Sequence, residues 1–90
     1  MTARRTVEII NKRGLHARAS AKFVKLAADF DAEVAVIRDG QSVDARSIMG
    51  LMMLGAGIGS TLELSADGPQ AAEALDALVE LVANRFEEDE

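Results

Sequence analysis

The spacing of apolar and polar positions divides the 90-residue chain into seven short elements. Thr6-Val7-Glu8-Ile9-Ile10 is β-branched and partly alternating, which predicts a strand. Asn11 to Leu15 form a loop broken by Gly14. From Ala17 to about Ala28, the apolar residues Ala19, Phe23, Leu26, Ala27 and Phe30 recur at helical spacing, with Arg18, Lys22, Lys25 and Asp29 on the opposite side. Glu33 to Arg38 predicts a second strand, and Gln41 to Asp44 its short partner. Asp39-Gly40 between them suits a tight hairpin turn, which needs positive φ. Ser47 stands as N-cap before a short apolar helix, Ile48-Met49-Gly50-Leu51-Met52-Met53-Leu54. A glycine-rich link, residues 55–60, leads to an alternating strand over Thr61 to Ala66. Gly68-Pro69 predicts the start of the last helix, with proline at its tolerated first position. Ala71, Leu75, Leu78, Val82 and Phe86 mark the inner face of that helix. Glu87 to Glu90 read as a frayed, solvated acidic tail.

The order β-α-β-β-α-β-α predicts a two-layer α+β domain, an antiparallel four-stranded sheet with its helices on one face. Ninety residues make a single domain, 1–90, with a small core. Absence of cysteine excludes disulfides and thiolate metal sites and fits a reducing compartment. No apolar run reaches the length of a membrane span, and the basic start carries no secretory-type apolar segment. The expectation is a cytoplasmic monomer without membrane insertion.

Charge adds an asymmetry that the net value of −5 conceals. Residues 1–25 hold Arg4, Arg5, Lys12, Arg13, Arg18, Lys22 and Lys25 against Glu8 alone, while the other fourteen acids lie beyond them. The basic section can steer an acidic protein surface or a phosphorylated partner. Nucleic acid is disfavoured by a pI near 4.8 and by the lack of tyrosine and tryptophan for base stacking.

The sole histidine, His16, lies in this basic section, within Gly14-Leu15-His16-Ala17-Arg18-Ala19-Ser20. Unpaired N–H groups and the helix dipole at the predicted helix start favour an anion there. Arg18 offers a forked cation suited to phosphate. A neutral imidazole so placed can accept a phosphoryl group and hand it on, although a lone histidine is more often an ordinary surface residue. Ser47 is a helix cap whose phosphorylation would add charge at a site that tolerates anions, the profile of a switch.

The short apolar helix carries more large side chains than one face can bury. Leu51 and Leu54 suit the core, whereas Ile48, Met49 and Met52 are candidates for an exposed, adaptable docking surface beside Lys22 and Lys25. Gly55, Gly57 and Gly59 do not make a nucleotide site, since they lead into a strand and no Walker lysine follows. One histidine without cysteine makes a metal site poor, so neither metal nor cofactor is expected.

Two motifs together carry a family resemblance. Gly14-Leu15-His16-Ala17-Arg18 resembles the active-site signature, and Ser47-Ile48-Met49-Gly50-Leu51-Met52 the regulatory-serine signature, of the HPr family. These are the histidine phosphocarriers of the bacterial phosphoenolpyruvate-dependent phosphotransferase system. Asp31-Ala32-Glu33-Val34 and Gly68-Pro69 match further family positions, so the resemblance spans essentially the whole chain. It implies an open-faced β-sandwich of four strands and three helices. It also implies a relay in which phospho-enzyme I donates to Nδ1 of His16 and His16 passes the group to an EIIA-type acceptor. Arg18 matches the family arginine that helps hold the phosphoryl group. Ser47 matches the serine modified by an HPr kinase/phosphorylase in lineages that possess one. Such a protein is an intermediate in a relay rather than a stand-alone turnover enzyme.

The chain departs from the pattern at Ala19, where family members usually carry proline, which predicts a looser helix start. The acidic ending and Gly68-Pro69-Gln70 resemble the nitrogen-related branch, whose members regulate rather than feed sugar import. A pure interaction module, with Ser47 as its switch, is a rival from another class.

Overall fold

The computed structural model describes residues 2–88. The elements are β1 (Thr2–Glu8), α1 (Ala17–Ala27), β2 (Glu33–Arg38), β3 (Gln41–Asp44), α2 (Ile48–Met53), β4 (Thr61–Asp67), α3 (Ala71–Ala83) and a closing 3-10 turn, Arg85–Glu87. The strands form one antiparallel sheet in the order β1-β4-β2-β3, and the three helices cover one side of it. This is the two-layer α+β domain that the element order predicts and the open-faced sandwich that the family resemblance implies.

Alternation decides which way the sheet faces. Val7, Val34, Val36, Leu62, Leu64 and Ala66 are buried, and the positions between them on β2 and β4 are less so. On α1, residues four apart (Ala19, Phe23 and Ala27) turn the same way and are buried, as are Ala71, Ala74, Leu75, Leu78 and Val82 on α3. Leu51 and Leu54 join this core, as expected.

Three boundaries differ from the sequence pattern, each for a tertiary reason. The first strand occupies Thr2–Glu8 rather than Thr6–Ile10, because β4 recruits it in register from Thr2↔Asp67 to Glu8↔Thr61. Its polar half is held by ion pairs, Arg4 with Glu63 and Arg5 with Asp76. Ile9, fully buried, instead anchors the start of the following loop by bonding to Ser60 and Gly59.

The last helix begins at Ala71, so Pro69 lies in the turn before it rather than at its first position. Gln70 stands at the cap but makes no side-chain cap bond. Its Oε1 accepts from the N–H of Asp31 at 2.8 Å and its N–H donates to the Asp31 carbonyl at 3.0 Å, tying this turn to the α1–β2 loop.

The acidic ending does not fray at Glu87 and Glu88. The helix stops at Ala83, and Arg85–Glu87 form a turn whose Phe86 is fully buried. Residues 89–90 of the expected tail lie outside the described residues.

Candidate functional site

The site grows from a sharp turn. Asn11 accepts the N–H of Gly14, and Gly14 adopts φ +64°. A side chain there would collide with the link after α2, since a Cβ would stand 2.4 Å from the Ala56 carbonyl oxygen and 2.8 Å from Gly57 Cα. The next residue, Leu15, donates its N–H to that same carbonyl at 2.9 Å and buries its side chain. The approach of the two loops therefore fixes where His16 emerges.

His16 is the N-cap of α1, with extended backbone geometry, φ −73° and ψ 179°. Its carbonyl accepts from the N–H of Ser20 at 2.9 Å. The buried Ser20 hydroxyl donates to the Leu15 carbonyl at 3.2 Å, reinforcing the turn. Nδ1 of the imidazole accepts the Arg18 N–H at 3.3 Å, and Nε2 contacts a carboxylate oxygen of Glu88. An N–H donor on one nitrogen and a carboxylate on the other specify the neutral tautomer: Nε2 carries the proton and Nδ1 presents its lone pair.

Nδ1 thus faces the first turn of α1, where N–H groups lack intrahelical partners. The Arg18 side chain is exposed and makes no hydrogen bond or ion pair among the described residues, so its guanidinium is available to an anion brought to this point. His16 keeps 23% of its side chain exposed, enough to be reached from one direction.

Glu88 is held from two sides. Asn11 Nδ2 donates to its second carboxylate oxygen at 3.0 Å and also to the Gly14 carbonyl at 2.9 Å. Burial resists ionisation of this carboxyl, yet the hydrogen bonds from His16 and Asn11, with the charge of Arg13, outweigh it. Together they hold its pKa below the usual carboxylate value. Asn11 is itself fully buried, and its Oδ1 has no partner among the described residues. Such an orphan costs about 1–3 kcal/mol, a penalty borne to keep both amide hydrogens aimed at the turn and at Glu88.

The other expected residues lie on α1 and α2. Ser47 caps α2, its Oγ accepting the Gly50 N–H at 2.9 Å. Ile48, Met49 and Met52 are exposed as expected, and Met53 and Ile58, which the sequence pattern did not single out, extend the apolar surface. Lys25 is exposed on α1. Lys22, expected on the docking face, keeps 34% of its side chain exposed and also bonds within the molecule. Its Nζ donates to the Phe86 carbonyl at 2.8 Å and pairs with Glu87 at 3.5 Å.

Asn11 and Glu88 were not legible as site residues. Asn11 reads as ordinary loop chemistry, and 72 positions separate Glu88 from His16 with no periodicity to connect them. Among the described residues, no cluster of potential metal ligands occurs and no helix is long and apolar enough to cross a membrane.

A family model described as the PTS HPr component phosphorylation site matches residues 3–84. The chain belongs to the HPr family. It is 60% identical over 86 residues to the phosphocarrier protein HPr of Cupriavidus necator, covering 96% of this chain and 97% of that one. It is 44% identical over 90 residues to the phosphocarrier protein NPr of Escherichia coli, covering 99% and 100%. The fold superposes on the crystal structure of HPr-C-His from Thermoanaerobacter tengcongensis with a TM-score of 0.93 and 44% identity, covering 98% of this chain and 99% of that one. The HPr and NPr phosphocarriers are proteins of the phosphotransferase system, and this chain is one of that group.

Proposed function

We propose that this protein carries a phosphoryl group on Nδ1 of His16, taking it from phospho-enzyme I and giving it to an EIIA-type acceptor in the cytoplasm. One observation carries the proposal. Nδ1 of His16 accepts the Arg18 N–H at the α1 N-terminus, in the same turn as the exposed Arg18, while Nε2 is turned to Glu88. A nucleophile and its anion-stabilising groups thus share one spot. Phosphoryl transfer asks little more of a protein than such positioning and charge stabilisation. In the attack, the Nδ1 lone pair meets phosphorus in line with the donor nitrogen. The N–H groups of the first turn and the Arg18 guanidinium take the charge of the phosphoryl oxygens.

The exposed residues Ile48, Met49, Met52, Met53 and Ile58 supply adaptable apolar contacts for successive partners, and Lys25 on α1 a further exposed cation. Ser47 borders that surface as the cap of α2. Phosphorylation by an HPr kinase/phosphorylase would place about two negative charges beside the apolar contacts and weaken docking.

The test is phosphoenolpyruvate-dependent labelling with purified enzyme I, read by mass spectrometry that preserves acid-labile phosphate. An acid-labile phosphate on His16, absent from His16→Ala, is the expected result. No label, with enzyme I active on a known carrier, would refute the reading and favour a pure interaction module. A nitrogen-related regulatory role is the second reading, supported by the full-length similarity to an NPr protein and by the acidic ending. It shares the His16 chemistry and differs in acceptor. Transfer to a nitrogen-branch EIIA in preference to a sugar-branch one would decide for it.

A further inference from the structure

Three consecutive residues, Arg85, Phe86 and Glu87, stand at φ 55°, 55° and 64°. None is glycine, and each is sterically disfavoured there. The turn persists because it is pinned. Phe86 is fully buried, Lys22 Nζ donates to the Phe86 carbonyl, and the N–H of Glu88 donates to the Arg85 carbonyl at 2.9 Å. Its product is the placement of one side chain. Glu88 arrives with 17% of that side chain exposed, one carboxylate oxygen on His16 Nε2 and the other on Asn11. Backbone held in disfavoured geometry to deliver a carboxylate to a histidine invites a functional explanation.

We propose that Glu88 is a positioning residue for phosphoryl transfer, keeping the proton on Nε2 of His16 and balancing the positive charge the ring gains when Nδ1 takes the phosphoryl group. This deepens the phosphocarrier reading and rests on it.

The charge balance of the step shows why a carboxylate belongs there. The lone pair of Nδ1 forms the new P–N bond while the donor's P–N bond breaks, and its electron pair returns to the donor imidazole, which leaves neutral. His16 keeps its Nε2 proton throughout. Its ring therefore passes from neutral to cationic as the donor ring does the reverse, and the new charge is shared with the N–H that Glu88 accepts. A preorganised anion at that point stabilises the product and the transition state leading to it more than the neutral ring. Asn11 keeps the carboxylate from turning away, donating to one oxygen so that the other faces His16.

The test compares the full-length wild type with Glu88→Gln, Glu88→Ala and, as a charge control, Glu80→Gln on the exposed side of α3. The neutral His16 tautomer is read from its ring nitrogen-15 shifts. The rate and equilibrium of phosphoryl uptake from phospho-enzyme I are read separately. Both Glu88 variants should lower the Nε2–H tautomer fraction and move the uptake equilibrium toward enzyme I. The shift should be about tenfold in Glu88→Ala, which is about 1.4 kcal/mol. Glu88→Gln should lie between, since an amide cannot accept from both His16 and Asn11 through two oxygens. The control should match wild type. Wild-type tautomer and equilibrium in both Glu88 variants would overturn the proposal, as would an equal shift in Glu80→Gln. If active enzyme I does not phosphorylate the wild type, the carrier reading fails, while an unchanged tautomer in the variants would separately defeat the role of Glu88.

Discussion

Replacing Gly14 by alanine tests whether contact between two loops, rather than turn geometry alone, places His16. At φ +64°, any L-residue with a Cβ is disfavoured by about 1–2 kcal/mol. The added Cβ would also lie 2.4 Å from the Ala56 carbonyl oxygen and 2.8 Å from Gly57 Cα. Both are backbone atoms and cannot rotate aside, so the loops must separate. The Leu15 N–H to Ala56 bond then lengthens or breaks, adding about 0.5–1.5 kcal/mol. Together the loss is about 1.5–3.5 kcal/mol. For a domain of this size that lowers Tm by about 6–28 °C.

Gly40 provides the comparison. It has φ +81°, and a Cβ there would meet nothing within 4 Å. Gly40→Ala should therefore cost only the conformational part, about 1–2 kcal/mol. Urea unfolding of the two variants and the wild type gives both differences. Phosphoryl uptake by His16, measured where each variant is fully folded, gives the functional consequence. Gly14→Ala should lose transfer by up to about a hundredfold, because small displacements of a reacting group are that costly, and Gly40→Ala should lose none. Equal stability losses in the two variants, or wild-type transfer in Gly14→Ala, would refute the loop-contact explanation.

Ser47→Ala removes the acceptor of the Gly50 N–H and should cost about 0.5–2 kcal/mol in urea unfolding while leaving phosphoryl uptake by His16 unchanged. The pKa of Glu88 is lowered by folding. Its contribution to stability is thus complete above its ordinary value near 4.5 and is lost as pH falls through the lower folded value. The stability gap between wild type and Glu88→Gln should accordingly be constant near neutrality and close in that acid window; a gap that widens on acidification would contradict the assignment. Ala19→Pro, in the first turn of α1, should raise stability by about 0.4–1 kcal/mol by restricting the unfolded chain, and should speed phosphoryl uptake. An unchanged uptake rate would show that the helix start is already rigid with alanine.

Local patterns made much of this molecule legible. Asp39-Gly40 closes the β2–β3 hairpin with φ 50° and 81°, because few other residue pairs enter that turn cheaply. Ser47 caps α2 as its hydroxyl and position foretell, and four-residue spacing placed Ala19, Phe23 and Ala27 in the core. His16 and Arg18 stood out because a glycine turn, a helix start and a cation occur within five residues. All of these depend on interactions that span a few positions, and those interactions leave a sequence period or a residue preference behind.

What the tertiary structure alone decided involves partners far apart in the chain. Thr2–Arg5 became strand because β4 offered hydrogen bonds and the Glu63 carboxylate, although those residues have no strand-like alternation. Gln70 gave its side chain to Asp31 instead of capping α3, and the helix began two residues past Pro69. Lys22 gained a bond to the C-terminal turn, and Glu88 moved from solvated tail to partner of His16. A carboxylate near the end of an acidic tail looks the same in sequence whether it is solvated or seated. Burial of Phe86 and the two donors awaiting Glu88 select between these states, and both exist only after α1 and α3 have packed.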